Sequence, residues 1–278
     1  MFKTIVFVVG VLCAANIFVW GGGMSGAARV GNEFYFLDVG QGDSEVIRMA
    51  HDVAYMIDGG KSDMAANALS SILPFLRRRI DVLFVSHPQQ DHLGGLFDVV
   101  RRYDIGVVVW NGERNALWDS FARVLNDRHI PAVAVAQGDQ VRYGDATMRV
   151  LWPVAGSESS DENEHCLVTL FSDRGTSALY TADMTDRVER AIASMVTTTV
   201  DILKVAHHGS KYASSAMFLD KAHPLVAVVE VGKNSYGHPT QEALTRLADV
   251  GARIFRTDQS GTVRIIKDGD GLRVWGTR

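Results

Sequence analysis

Short apolar runs alternate with amphipathic patterns along the chain, and together they predict an α/β domain. The first three runs follow one another without a helical pattern between them, which indicates antiparallel pairing. The predicted strands are 33–39, 44–49, 53–57, 81–86, 105–110, 132–135, 139–143, 147–152, 166–171, 177–181, 201–206, 225–231, 252–256, 262–267 and 272–275. The predicted helices run from residue 62 or 63 to Leu76 and over 95–103, 118–125, 185–196, 213–221 and 240–249. Strand groups in both halves, each with helices, predict two sheets packed face to face with helices outside.

The N-terminal segment has a different pattern, because no charged residue occurs between Lys3 and Arg29. Roughly 20 such residues suffice for a helix to cross a bilayer. We favour an uncleaved membrane anchor over residues 1–24, a linker over 25–32 and a folded domain over 33–278 outside the membrane, with Lys3 left inside. The alternative is a signal peptide cleaved near residues 25–27, which would give a secreted or periplasmic domain.

Composition limits the possible partners. The formal charge is −4, so an anionic substrate would have to be held by local charge or by metal. The chain has two cysteines, Cys13 and Cys166, and Cys13 lies in the apolar N-terminal segment. We therefore expect no disulfide between them.

Residues suited to binding a metal follow three of the predicted strands. Two imidazoles and a carboxylate come directly after the strand at 81–86, and a carboxylate and an imidazole follow two later strands: His87, Asp91, His92, Asp183 and His207. Strand ends can converge at one edge of a sheet, and these residue types bind Zn²⁺ and its first-row neighbours. The pattern predicts a centre for one or two divalent ions, with one carboxylate shared between two ions.

Simpler interpretations of single residues stay open. Asp183 could cap the helix predicted at 185–196, because aspartate is a preferred N-cap. His207 or His208 could be a histidine packed in a turn.

The motif Ser86-His87-x-x-x-Asp91-His92-x-Gly94-Gly95 resembles the signature of the metallo-β-lactamase superfamily. Four further segments, 37–44, 57–60, 204–210 and 236–239, are similar to the ComEC-type branch. That branch supplies the extracellular domain of the DNA uptake channel of natural competence. The resemblance implies an αββα four-layer sandwich with a metal site on one edge, in a stand-alone ComEC-like hydrolase.

The resemblance also implies roles for individual residues. His87 would bind a first metal, with His165 as a further ligand or Asn163 polarising the substrate. Asp91, His92 and His207 would bind a second metal, and Asp183 would bridge the two. Asp58 would orient a ligand histidine, His208 would lie beside the ligands, and His238 would lie near the substrate. Gln89 stands where the branch often has Asp or His, and its neutral amide is a weaker zinc ligand.

These roles imply a metal-dependent phosphodiesterase or nuclease that acts on DNA or another phosphate ester. Zinc is the expected ion, with manganese or magnesium as alternatives. Lys204, Lys211 and Arg256 are candidates to neutralise phosphate. Two other functions stay open, namely hydrolysis of a different ester such as a thioester or lactone, and a degenerate, non-catalytic binding module.

Overall fold

The computed structural model describes residues 31–74, 77–157, 159, 161–197, 199–269 and 271–278. The predicted anchor at 1–24, residues 25–30 of the predicted linker, Cys13 and Leu76 lie outside the described residues. Among the helices that the structure describes, none is long and apolar enough to cross a membrane. Cys166 is buried, and the expectation that it forms no disulfide with Cys13 stays a prediction.

The described residues form the following elements. The strands are β1 (Glu33–Phe36), β2 (Glu45–Arg48), β3 (Ala54–Ile57), β4 (Arg79–Val85), β5 (Asp104–Trp110), β6 (Ala132–Ala134), β7 (Gln140–Tyr143), β8 (Ala146–Trp152), β9 (Val168–Asp173), β10 (Thr176–Tyr180), β11 (Ile202–Lys204), β12 (Val226–Val229), β13 (Arg253–Arg256), β14 (Val263–Asp268) and β15 (Gly271–Gly276). The helices are α1 (Met64–Ile72), α2 (Gln90–Leu93), α3 (Leu96–Arg102), α4 (Ala116–Asp127), α5 (Asp186–Ile192), α6 (Ala216–Ala222), α7 (Gln241–Asp249) and α8 (Thr257–Ser260). Three 3-10 turns span Ala50–Asp52, Glu162–His165 and Ala206–Gly209.

The strands form two mixed sheets. The first sheet has the order β15-β14-β1-β2-β3-β4-β5-β6, and the second has the order β13-β12-β11-β10-β9-β8-β7. Strands β1, β2 and β3 pair antiparallel, which confirms the pairing predicted from the three consecutive apolar runs. Strands β3 to β6 run parallel in one sheet, and β10 to β13 run parallel in the other. Each sheet therefore presents neighbouring carboxyl ends at one edge.

A shared apolar core joins the two sheets. Phe34 of β1 packs edge-on against Phe171 of β9, with ring centroids 5.4 Å apart. A second core covers the outer face of the first sheet and includes Phe121 of α4. A third core covers the outer face of the second sheet and includes Phe218 of α6. The predicted arrangement of two facing sheets with helices outside is confirmed.

Some elements are shorter than the apolar pattern predicts. Strand β11 ends at Lys204 instead of residue 206, because His207 and His208 adopt positive φ angles of 49° and 52° and turn the chain. Helix α5 ends at Ile192 instead of residue 196. The early end of β11 places His207 and His208 on a turn at the sheet edge.

Candidate metal centre

The first sheet contributes the turn that follows β4. His87 and His92 are fully buried, whereas the Asp91 side chain is 31% exposed. Helix α2 carries Asp91 and His92 and ends beside Gly95. A Cβ atom on Gly95 would lie 2.0 Å from the Gly59 carbonyl oxygen, so only glycine lets this turn pack against the loop after β3.

The second sheet contributes two turns. Asp183 follows β10, and His207 and His208 lie in the 3-10 turn after β11. The His207 amide donates to the Ala182 carbonyl at 3.0 Å, which joins the two turns. Asp183 and His208 are both buried.

The two sheets meet at these residues. Nε2 of His92 lies 3.5 Å from Oδ2 of Asp183, and Nε2 of His208 lies 3.6 Å from the same oxygen. Nε2 of His208 is also 3.4 Å from Oδ2 of Asp91. The carboxyl ends of β4, β10 and β11 therefore converge on one cluster.

The cluster has the composition of a divalent-ion site. Four sets of three residues in the described part of the chain hold their ligand atoms within 4.8 Å of one another, and the other two of them include the buried Asp43. The two sets considered as the candidate centre share His92 and consist of His87, His92 and Asp183, and of Asp91, His92 and His208. Nε2 of each of the three histidines and Oδ1 of Asp183 are buried without a hydrogen-bond partner. Because buried polar atoms are costly without a partner, these unpaired nitrogen and oxygen atoms fit a bound cation.

The far nitrogens of the three rings are held in place. Nδ1 of His92 lies 2.8 Å from Oδ2 of Asp58, which is the contact that the resemblance implies for Asp58. Nδ1 of His208 donates to the Glu230 carbonyl at 2.9 Å, and Nδ1 of His87 lies 2.9 Å from Oγ of Ser86. A carbonyl acceptor fixes the proton on Nδ1, which leaves the Nε2 lone pair of His208 free for a metal.

The charges in the cluster favour a cation. Burial, reinforced by His92, lowers the pKa of His87 to about 4. Burial also acts on His208, but the carboxylates of Asp183 and Asp43 outweigh it and raise its pKa to about 10. Burial opposes the charge on Asp183, yet His208 and His92 hold its pKa well below its ordinary value. The carboxylates thus favour a proton on His208, and a divalent ion bound in the cluster would displace that proton.

The structure brings His208, rather than His207, into the ligand sets. Nε2 of His207 lies 3.6 Å from Oδ2 of Asp183, but its side chain is 33% exposed and belongs to neither set. The sequence could not distinguish two adjacent histidines in one turn, because either ring could point inwards.

Other predicted residues surround the cluster at different distances. Nε2 of Gln89 donates to Oδ1 of Asn163 at 3.2 Å, so these two side chains contact each other.

His165 faces Glu113, with Nδ1 3.6 Å from Oε1, and it belongs to none of the ligand sets among the described residues. The reason is local, since Asn111 donates to the His165 carbonyl at 2.9 Å and holds that turn against the loop after β5. His165 thus lies outside the ligand sets, although its Nε2 is also buried without a hydrogen-bond partner, and its role as a metal ligand stays a prediction.

His238 lies on the outer side of the cluster. Its ring centroid is 5.7 Å from that of His207, and its Nδ1 is buried without a hydrogen-bond partner. Burial and the neighbouring His207 and His208 lower its pKa. A neutral ring therefore lies beside the site at neutral pH.

Several charged side chains are buried next to the cluster, and the sequence analysis does not predict their burial. Lys204 was a candidate to neutralise phosphate, but it is fully buried and forms an ion pair with Asp43. Glu45 and Glu230 are buried beside them, and Oε1 of Glu230 accepts the Ser44 amide at 3.0 Å. The available signal is a charged residue that interrupts an apolar run, as Lys204 does after Ile202 and Glu230 does before Val231.

The other two candidate phosphate contacts differ from each other. Arg256 makes two hydrogen bonds to the Asp258 carboxylate, at 3.0 and 2.7 Å. Lys211 is exposed on the loop that follows the site histidines. Lys211 is therefore the better placed of the two to meet a substrate.

The sequence of this chain is similar to those of competence proteins. The chain is 29% identical over 255 residues to ComE operon protein 3 of Bacillus subtilis, a match that covers 84% of this chain and 32% of that protein. It is 28% identical over 234 residues to competence protein ComA of Neisseria gonorrhoeae, covering 82% of this chain and 31% of that protein. The chain thus spans about a third of the length of these relatives.

Comparison with solved structures identifies a protein of the same fold. The metallo-β-lactamase fold protein YhfI from Bacillus subtilis superposes with a TM-score of 0.60 and 13% identity, covering 85% of this chain and 100% of that one. At this identity the likeness shows the fold alone. The sequence model of the metallo-beta-lactamase superfamily matches residues 37–232, which is more than half of the chain. This chain therefore belongs to the metallo-β-lactamase superfamily.

Proposed function

We propose that this protein is a metal-dependent phosphodiesterase that cleaves nucleic acid. The observation that carries the proposal is the pair of ligand sets that share His92, in which Nε2 of all three histidines and Oδ1 of Asp183 are buried and unpaired. The similarity to competence proteins, together with the resemblance of the sequence motifs to the ComEC-type branch of the DNA uptake channel, supports a nucleic acid as substrate.

The proposed centre combines metal and protein chemistry. A divalent ion held by His87, His92 and Asp183, or by Asp91, His92 and His208, would supply a Lewis acid for a phosphoryl oxygen and for water. Because its carboxylate is partly exposed, Asp91 can orient the attacking water by a hydrogen bond. Although burial raises the pKa of Asp91, the neighbouring His208 and His92 lower it overall, so the group is a carboxylate at neutral pH.

Two residues outside the ligand sets complete the proposal. The neutral ring of His238 would contact the phosphodiester or its leaving oxygen, and the exposed ammonium of Lys211 would neutralise a neighbouring phosphate. Asn163 would contact the substrate from the opposite side, where Gln89 holds its side chain.

We further propose that the domain acts outside the membrane. The support is the uncharged N-terminal stretch after Lys3, which fits an anchor, together with the resemblance to the extracellular domain of the uptake channel. A cleaved signal would place the same domain in the periplasm or the medium.

The test uses the purified full chain with single-stranded DNA and with bis(p-nitrophenyl) phosphate, after metal removal and re-addition of Zn²⁺, Mn²⁺ or Mg²⁺. We expect metal-dependent cleavage of both substrates and its loss in His92→Ala. His129→Asn replaces an exposed histidine at the end of α4 and is the matched control, expected to retain cleavage. Absence of turnover with every metal would refute the proposal.

A second candidate is a non-catalytic binding module. It is favoured by the contact of Gln89 with Asn163 and by the orientation of His165 towards Glu113, which leave the His87 side of the cluster with few ligands. Metal content separates the two functions. A binding module would hold fewer than about one ion per chain after reconstitution, and Gln89→His would raise the content without producing turnover.

A further inference from the structure

Two tyrosine rings lie in solvent on the loops that frame the metal centre. The side chains of Tyr212 and Tyr236 are 74% and 73% exposed, more than any other large apolar or aromatic residue among the described residues. Tyr212 follows the site histidines by four residues, and Tyr236 precedes His238 by two. Because rings this exposed bury little surface in the fold, they are accessible to a ligand beside the centre.

The loop that carries Tyr236 is held rigidly. Oδ1 of Asn234 accepts the amides of Tyr236 and His238 at 3.0 and 3.1 Å, and its Nδ2 donates to the carbonyls of Gly232 and His238 at 2.9 and 2.8 Å. One side chain therefore fixes the whole turn. The tyrosine ring is exposed on an ordered support, which lowers the entropic cost of binding a ligand.

The loop that carries Tyr212 is fixed as well. Arg246 of α7 donates to the carbonyls of Ser214, Ala213 and Lys211 at 2.8, 2.8 and 3.1 Å. The two loops are joined to each other, because the Thr240 amide donates to the Gly209 carbonyl at 2.9 Å.

A series of rings leads from the metal centre to Tyr236. The ring centroids of His208 and His207 are 6.2 Å apart, those of His207 and His238 are 5.7 Å apart, and those of His238 and Tyr236 are 5.8 Å apart. Tyr236 lies at a shallow angle of 31° to His238. Tyr236 therefore lies at the outer end of a series of neighbouring rings that begins at the metal centre, so a strand that follows this series from the centre meets its ring face.

The charge of the two loops matches a nucleic-acid backbone. Lys211 and Lys233 are exposed, one on each loop, and Nζ of Lys211 lies 5.0 Å from the centroid of the Tyr212 ring. Exposed aromatic rings interleaved with cations are the usual means of binding single strands, because every base has a face that can stack.

We propose that Tyr236 and Tyr212 form a stacking platform for the bases of a single-stranded nucleic acid whose backbone phosphates meet Lys211, Lys233 and the metal centre. The proposal rests on the proposed function and specifies its substrate as unpaired nucleotides. Bases in a duplex are stacked on one another and cannot use such a platform.

The test measures binding without requiring catalysis. A labelled oligothymidylate and an abasic oligonucleotide of the same length, which keeps the phosphates and lacks the bases, are titrated with the full-length protein in EDTA. We expect the wild-type chain to bind the oligothymidylate more tightly than the abasic oligonucleotide. In Tyr236→Ala the ratio of the two dissociation constants should decrease by roughly 5- to 150-fold, as for other stacked bases. Tyr236→Phe keeps the ring and should keep the preference. Trp275→Ala, an aromatic truncation on β15, is the control.

The outcomes separate this inference from the proposed function. Equal binding of both oligonucleotides by the wild-type chain, or an unchanged preference in Tyr236→Ala, would overturn the stacking platform. Turnover of bis(p-nitrophenyl) phosphate, which carries no base, reports on the phosphodiesterase alone. Its absence would overturn the proposed function and leave the binding result valid.

Discussion

Lys204 and Asp43 form a fully buried ion pair that joins the two sheets directly below the metal centre. Asp43 belongs to the loop between β1 and β2, whereas Lys204 ends β11. Nζ of Lys204 also donates to the Ala182 carbonyl at 2.8 Å, and Oδ1 of Asp43 lies 3.3 Å from Nδ1 of His208. Oδ2 of Asp43 lies 3.6 Å from Nδ1 of His92, so the pair contacts residues of both halves of the centre.

Removing the cation from this pair should strongly destabilise the fold. Lys204→Met leaves Asp43 buried beside Glu45 and Glu230 without its counter-ion. We expect a loss of about 3–5 kcal/mol in the free energy of unfolding, measured by denaturant titration of the metal-depleted protein. Lys221→Met, at an exposed position of α6, should change it by less than about 0.5 kcal/mol. Similar stabilities for the two variants would show that the ion pair is unimportant.

The two adjacent histidines should differ in metal binding. Because His208 supplies a buried Nε2 to a ligand set, His208→Asn should lower the metal content of the reconstituted protein. His207→Asn should retain it, and asparagine suits the positive φ at both positions. Elemental analysis of both variants decides between the rings, and a loss confined to His207→Asn would reverse the assignment.

Asp58 should act on metal binding through His92. Asp58→Asn removes the carboxylate that holds Nδ1 of His92, so we expect a decrease in metal affinity of roughly 10- to 100-fold. Competition with a chromogenic chelator measures it. Asp249→Asn, at the end of α7, provides the matched substitution, and equal affinities in the two variants would exclude the orienting role.

Glu230 should make stability depend on pH in a defined direction. Burial, followed by the charge of Asp43, raises the pKa of Glu230 from 4.5 to about 8. The folded chain thus keeps a proton that the unfolded chain loses, so the contribution of Glu230 to stability is complete below pH 4.5 and is lost as the pH rises to about 8.

Glu230→Gln has no such titration. The stability of the metal-depleted wild-type protein relative to this variant should therefore decrease across that pH range. Denaturant titrations at several pH values measure the difference. A constant or rising difference would mean that Glu230 is already ionised in the folded chain.

Apolar periodicity was sufficient to predict most strands and the layered arrangement. It also placed His87, Asp91, His92 and Asp183 at strand ends, and these residues do meet in the structure. Local sequence determined these features, because a strand followed by a polar turn is visible within about ten residues.

The remaining features depend on contacts between distant segments. The ion pair of Lys204 with Asp43 forms only when the two sheets pack together, so a lone lysine in an apolar strand resembles a candidate for binding phosphate. The resemblance implies a metal ligand at His165, just before β9, but Asn111 and Glu113 on the loop after β5 set the direction of this residue. Neither the ion pair nor the contacts of His165 produce a periodic pattern of apolar and polar residues in the sequence.

The most direct test of the central claim concerns Asp183, the carboxylate that faces histidines of both sheets. The measurement is kcat/KM for bis(p-nitrophenyl) phosphate with the wild-type chain and Asp183→Asn, each stripped of metal and then reconstituted. We expect wild-type turnover to disappear with metal removal and to return with metal. We expect Asp183→Asn to be slower by at least about 100-fold, the upper end for loss of a supporting contact alone. Turnover that survives metal removal, or a fully active Asp183→Asn, would contradict a catalytic metal centre at Asp183.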